Sequence, residues 1–365
     1  MEPIAATILT GFLGSGKTTL LNQLLKEPAL AHSAVIINEF GEVSIDHLLV
    51  ERSTDGVIEL SDGCLCCTVR GDLIDTLADL VDRVQTGRIA PLKRVVIETS
   101  GLADPVPVLQ SLMAHPALVQ SFRLDGVIAT VDAVNGAAVL DRHQEAVRQV
   151  AVADRIVLTK TDIAEGTKGL DEMKDRIARL NPAAPLLESA DGRFDPAALF
   201  NCGLYDPDRK IADVGRWLRE EAVHRHAHDH DPRHGHTAHR HDERVRTFSL
   251  VHDGPIPQSA IETFIDILGS TEGDHLLRMK GIVETVEDRS RPLVLHGVQS
   301  LFHPPVRLPA WPDEKRGVRL VLITIDMPED YVRRLFAAIT SAPRIDTPDR
   351  AAMETNPLAI PGYRS

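Results

Sequence analysis

Two short stretches concentrate the residues able to do chemistry. The first, "GFLGSGKTTLL", sets Gly11, four residues, then Gly16, Lys17 and Thr18 in the spacing G-x-x-x-x-G-K-T. Glycines at Gly11, Gly14 and Gly16 let the backbone curl until successive N–H groups, that of Ser15 included, face one anion. A helix opening at Lys17 would add the positive end of its dipole. Lys17 would then reach the outer phosphates of a nucleotide, Thr18 would hold magnesium, and Thr19 would continue the cradle. The second stretch, "DGCLCCTVRGD", holds Cys64, Cys66 and Cys67, three of the four cysteines in the chain. On an extended backbone Cys64 and Cys66 point one way and Cys67 the other. The three meet on one ion only if the loop bends, which Gly63 and Gly71 permit.

Three thiolates suit a soft or borderline ion such as Zn²⁺ or Cu⁺. A structural zinc site would normally close with a second C-x-x-C or a histidine pair, and neither stands nearby in sequence. The site therefore reads as open, or as completed by Glu39, Glu42, Asp46 or His47. A redox switch through a vicinal Cys66–Cys67 disulfide is the rival chemistry. Cys202 stands apart and reads as a small buried residue.

These residues need elements to position them. Apolar "AATIL" reads as a buried strand delivering the glycine loop, and "KTTLLNQLL" as the helix that follows. "RVVIETSGLADP" reads as a strand ending at Glu98, whose carboxylate would hold magnesium through water. The turn after it places the Gly101 N–H where it can sense a γ-phosphate. "DRIVLTKTD" reads as a further strand ending in Thr159, Lys160, Thr161 and Asp162. This is similar to the N-K-x-D motif that reads guanine, with threonine in place of asparagine. The Asp162 carboxylate would accept from guanine N1–H and N2–H₂, the Lys160 stem would lie along the base, and Thr159 would reach across to the P-loop. "LLESADG" offers a last base-side loop through Ser189 and Ala190. After Gly101 no glutamine follows to orient water; Asp104 and Glu42 are the candidates.

The totals fit this reading. At 365 residues with 43% hydrophobic composition the chain has ample length for two cores. Its net charge of −13, without a cluster of Lys or Arg, argues against nucleic acid as partner. "MEPIAATILTGF" lacks the pattern of a secretory signal, and no apolar run reaches the roughly 18 residues that span a bilayer. The expectation is a cytoplasmic protein with no membrane partner. Four cysteines then suit metal or redox work better than a disulfide framework.

"TGFLGSGKTTLL", "INEFGEVSID", "GCLCC", "ETSGLADP" and "TKTD", in that order, resemble the CobW-type GTPases, P-loop metallochaperones related to the nickel-insertion GTPases. The resemblance is strong over residues 4–165 and weaker over 245–342. It implies GTP binding, slow hydrolysis to GDP and phosphate, and handling of a transition metal, zinc first and cobalt next. The partner implied is a client metalloenzyme or a cofactor-insertion protein. Two other readings stay open: a metal buffer whose GTPase activity is vestigial, and a P-loop small-molecule kinase.

The fold expected is α/β: a P-loop NTPase domain over 1–200 with a mostly parallel sheet, then a smaller α+β domain over 245–342 and a tail over 343–365. Between them, 201–244 carries a run, 224–243, holding eight of the sixteen histidines. That run lacks apolar periodicity and reads as a metal-attracting linker. In the second domain "VRTFSLV", "HLLRMKGIVE", "PLVLHGVQSLFH" and "RLVLITID" read as strands. "SAIETFIDIL" and "PEDYVRRLFAAI" read as helices. Arg278, Lys280, His296 and His303 read as ordinary surface residues, with a face toward the nucleotide or a client as the alternative.

Overall fold

The computed structural model describes residues 3–27, 30–38, 58–60, 69–164, 167–189, 198–200, 244–303 and 305–340. Its first half is a parallel sheet of seven strands in the order β3-β2-β4-β1-β5-β6-β7. These are β1 (Ile4–Gly11), β2 (Ser33–Asn38), β3 (Ile58–Leu60), β4 (Arg94–Thr99), β5 (Phe122–Asp132), β6 (Arg155–Thr159) and β7 (Leu186–Ser189). The strands β1, β4 and β6 are buried at every position. Continuous apolar runs of this kind belong to parallel sheets covered on both faces. Along β1 the alternation is clear: Ile4, Ala6 and Ile8 join one core, and Leu9 joins the other with Leu20, Leu21 and Leu24. Those three leucines lie on α1 (Lys17–Leu24), the helix that leaves the glycine loop.

The helices that matter for the site follow β4 and β5. They are α3 (Val106–Ala114), after α2 (Val69–Gln85) and before α4 (Pro116–Val119), and then α5 (Gly136–Arg142) and α6 (Gln144–Val152). In α6 Ala146, Val147, Gln149, Val150, Ala151 and Val152 are all buried. A helix buried on so many positions lies between two layers rather than on a surface. One layer is the parallel sheet, and the other is the C-terminal sheet through β9 (Leu276–Val283). The chain then passes through α7 (Thr167–Leu180) to β7.

The second sheet is antiparallel, in the order β11-β10-β9-β13-β8, with β12 paired to β10. Its strands are β8 (Val245–His252), β9, β10 (Leu293–Val298), β11 (Leu301–Phe302), β12 (Val306–Arg307) and β13 (Val318–Ile325). On one face lie α8 (Gln258–Glu272) and α9 (Glu329–Thr340), with Phe264 edge-on to Phe336 at 5.4 Å. In α8 the buried set is Ile261, Phe264, Ile265 and Leu268, the spacing of a single apolar stripe. From the other face Val245, Leu277, Ile323 and Ile325 join the core of the first half.

"PLVLHGVQSLFH" is not one strand. It breaks at Gln299 and Ser300, where Val298 pairs with Leu301 across a two-residue turn. Gln299 has φ of 54°, the left-handed conformation that such tight hairpins need. The side chain of Gln299 also accepts from Gln110 of α3 at 3.0 Å, which ties the turn to the first half. Both described ends flanking 201–243 are pinned. Phe200 is 5% exposed in the core of Leu9, Leu20 and Leu21 with the Arg94 guanidinium over its ring, and Arg244 pairs with Asp326.

Candidate functional site

The site begins where β1 ends. Gly11 has φ of 144°, and a Cβ there would stand 2.2 Å from Thr130 Oγ1 on β5. Only glycine fits this approach. Gly16 caps α1 in the left-handed region, with φ of 91°. Ser15 is buried, its hydroxyl 2.6 Å from that of Thr130. Lys17 folds into the curl, where Nζ donates to the carbonyls of Gly11 (2.9 Å) and Phe12 (3.3 Å). An ammonium so placed sits inside the loop whose N–H groups would surround a phosphate. Gly14 and Thr19 are exposed at the rim.

The next strand over, β4, carries Glu98 at its carboxyl end, 3% exposed. Thr18 Oγ1 donates to Glu98 Oε1 at 3.2 Å. A hydroxyl and a carboxylate brought together beside a phosphate cradle are hard oxygen donors, the set that suits magnesium. Gly101 follows in the exit turn, and a Cβ on it would lie 2.7 Å from Leu13 N, so the turn abuts the glycine loop directly. Asp104 is already committed: Oδ1 accepts the Val106 N–H at the head of α3, and Oδ2 accepts from Arg148 Nη1. Its carboxylate thus holds the entry to α3 on one oxygen and Arg148 of α6 on the other.

On the other side of β1 the base-reading segment comes against the same loop. Thr159 Oγ1 lies 2.7 Å from Ser15 O and 3.1 Å from Val131 O. Lys160, with φ of 58°, sends Nζ to Gly14 O (2.8 Å) and to Asp132 Oδ2 (2.7 Å). Burial pushes the Asp132 carboxyl upward, but hydrogen bonds from Lys160, Asn135 and the Val134 N–H hold it below the ordinary range. Asp162 is exposed in the turn beyond β6, and Ser189 is buried at the end of β7. A cavity of about 250 Å³ opens behind the glycine loop, lined among others by Phe12, Thr130, Asp132, Val139 and Gln149.

Glu39, Glu42, Asp46, His47, Cys64, Cys66, Cys67, Ala190, Cys202 and the histidine run 224–243 lie outside the described residues. Among the described residues no three His, Cys, Asp or Glu side chains gather as a metal site. None of the described helices is long and apolar enough to cross a membrane.

Of the four residues expected at the surface of the second domain, three are buried and His303 is partly buried. Arg278 is 2%, Lys280 8% and His296 6% exposed. Both cations reach Asp154, just past α6, each with 2.6 Å to Oδ1. Asp154 Oδ2 accepts the Val127 N–H at 2.9 Å. Burial alone would raise the Asp154 carboxyl, and the facing Arg278 and Lys280 hold it far below the carboxylate range. Burial likewise lowers Lys280, keeps His296 well below its usual value, and pulls the part-buried His303 down to about 4. Sequence reasoning also missed Gln149, which is 1% exposed on α6.

The sequence matches two family descriptions in tandem: "CobW/HypB/UreG, nucleotide-binding domain" over residues 5–188, and "Cobalamin synthesis protein cobW C-terminal domain" over 245–340. It is 38% identical to the zinc chaperone YjiA of Escherichia coli, over 93% of this chain and 99% of that one. It is 32% identical to the zinc chaperone CobW of a Sinorhizobium species, over 93% and 97%. The crystal structure of Zn(II)-bound YjiA GTPase from E. coli superposes with a TM-score of 0.68 at 34% identity, covering 93% of this chain and 99% of that one. With a glycine loop, a Thr18–Glu98 pair and a Thr159–Lys160 segment converging at the carboxyl ends of one parallel sheet, and with both modules matched in order, the chain belongs to the CobW/HypB/UreG family of nucleotide-binding proteins.

Proposed function

We propose that this protein is a GTP-hydrolysing metallochaperone, which takes a transition metal ion as cargo and passes it to a client metalloprotein or cofactor-insertion protein. The observation that carries the reading is the convergence on one loop of Lys17, the Thr18–Glu98 pair and the Thr159–Lys160 segment. Relatives named zinc chaperones, aligned over 93% of the chain, support zinc as the cargo, with cobalt the alternative.

In this reading the N–H groups of Gly14, Ser15 and Gly16 and the ammonium of Lys17 take the phosphates. Thr18 and Glu98 hold magnesium, which when bound offsets charge developing on the transferring phosphoryl group. Lys160 lies along the base, and Asp162 takes its two donors. Gly101, packed against Leu13, senses whether a γ-phosphate is present. Asp104 is engaged elsewhere, and Leu102 and Ala103 carry no polar side chain, so intrinsic hydrolysis is slow. Cys64, Cys66 and Cys67 hold the cargo ion, with Glu39 or Glu42 as an oxygen ligand. In the sequence they stand between 38–46 and 98–104, the two segments that the γ-phosphate and magnesium would order.

The test is competitive zinc and cobalt titration with GTP, with GDP and without nucleotide. It is run on the wild type, on a Cys64/Cys66/Cys67→Ser variant and on a chain lacking 224–243. The reading expects GTP to shift metal affinity more than a few fold, the serine variant to lose that shift, and the deletion to keep it. Metal affinity indifferent to nucleotide and intact in the serine variant would overturn it.

A further inference from the structure

Helix α6 touches both the loop after Glu98 and the C-terminal sheet. At its middle Gln149 Nε2 donates to the carbonyls of Gly101 (3.1 Å) and Ala103 (3.0 Å). Arg148 Nη1 donates to Asp104 Oδ2 at 2.8 Å. The peptide planes that follow Gly101 and Ala103 are therefore fixed from α6, since a held carbonyl fixes the whole planar unit. Among the described residues the buried Oε1 of Gln149 has no hydrogen-bond partner, and the two donor bonds from Nε2 orient the amide. At the far end of α6 the chain reaches Asp154, held by Arg278 and Lys280 of β9. Asn181 Nδ2 donates to the carbonyls of Val150, Ala151 and Ala153, which locks the last turn of the helix. One helix of nine residues thus carries the clamp on the γ-phosphate loop and the clasp on the second domain.

We infer that Gln149 is a positioning residue for GTP hydrolysis, and that the C-terminal domain sets its position through α6. The inference rests on the GTPase reading above. Gly101 abuts the glycine loop at Leu13, so a nucleotide-driven change there reaches the peptides that Gln149 holds. Whatever moves the C-terminal sheet then moves the same peptides from the other end. Linkage makes the effect reciprocal: nucleotide state alters the stance of the second domain.

The full chain is tested as Gln149→Leu, Arg278→Met and Lys280→Met. The last is the gentler cut, leaving Arg278 on Asp154. Each also enters a double variant with Gln149→Leu. GTP turnover is split into kcat and KM, and hydrogen exchange is followed over residues 99–106. Each single substitution is expected to lower kcat about tenfold, the weight of roughly one net hydrogen bond, with KM within about twofold. The double variants fall no further than the stronger single. Exchange over 99–106 rises in the β9 variants although Arg278 and Lys280 bond to none of those residues. A merely structural loss would instead speed exchange across the sheet and give additive effects, which overturns the inference. An unchanged kcat in Gln149→Leu overturns the positioning role, and unchanged exchange in both β9 variants overturns the relay. If the wild type hydrolyses no GTP while exchange still answers to β9, the hydrolysis reading falls and the link through α6 stands.

Discussion

Replacing Asp154 with asparagine removes one charge and strands two. Asp154 is 2% exposed and holds Arg278 and Lys280 at 2.6 Å on a single oxygen. Asparagine keeps an acceptor for the Val127 N–H but leaves both cations buried without a counter-charge. Lys280, already pulled down by burial, can shed its proton; the Arg278 guanidinium cannot. Breaking one side of such a pair costs about 3–5 kcal/mol. For a domain of this size that lowers the melting temperature by roughly 10 °C or more. The assay is urea and thermal unfolding of wild type, Asp154→Asn, and Asp154→Asn with Arg278→Met. The second change is expected to restore most of the loss, because it removes the stranded charge. The pH dependence carries its own sign. The folded carboxyl is depressed, so its contribution is present above about pH 4, the unfolded value, and fades as pH falls below it. The gap between wild type and Asp154→Asn should shrink in acid, as the wild type loses its carboxylate, and should also narrow as pH rises from about 5 to 8, because the folded variant sheds the Lys280 proton that the unfolded chain keeps. A loss under about 1 kcal/mol for Asp154→Asn, or no recovery with Arg278→Met, refutes the reasoning.

Gly11→Ala meets both a left-handed backbone and Thr130 Oγ1 at 2.2 Å, so it should lower stability by about 2–4 kcal/mol and weaken nucleotide binding; pairing it with Thr130→Ala should recover only part, since Thr130 O stands at 2.6 Å. Thr18→Val keeps the shape but removes the donor to Glu98, and magnesium-dependent GTP affinity is expected to drop at least tenfold while magnesium-free GDP binding barely changes. His303 binds its proton near pH 4 when folded and near 6.5 when unfolded. Between those values the unfolded state binds more protons, so stability falls as pH drops, by about 3 kcal/mol in all; His303→Asn should flatten that slope in a pH series of unfolding curves.

The nucleotide site was legible because its parts are local. "GFLGSGKTT", "VVIETSG" and "IVLTKTD" each pair an unbroken apolar strand with polar residues at its carboxyl end, and β1, β4 and β6 carry them at the same edge of one sheet, β4 beside β1 and β6 one strand beyond β5. The stripe Ile261, Phe264, Ile265 and Leu268 likewise marked α8. What escaped is what depends on distant partners. Arg278 and Lys280 alternate along β9 and share a face, a signal of period two that was available. Their counter-charge, however, lies 124 residues away from Arg278, and no local pattern joins them. Gln149 looks like one more polar residue on a helix until both layers over α6 are in place. The turn at Gln299 escaped because a glutamine with positive φ carries no glycine or asparagine to announce it.

Phe200 and Arg244 stand at the two edges of the span 201–243, and each is fastened by contacts of its own. Phe200 packs with Leu9, Leu20 and Leu199 beneath the Arg94 guanidinium, and Arg244 is held to Asp326. The first half thus fixes the point where the chain leaves it, and the second half fixes the point where the chain arrives. Neither junction borrows its position from the other.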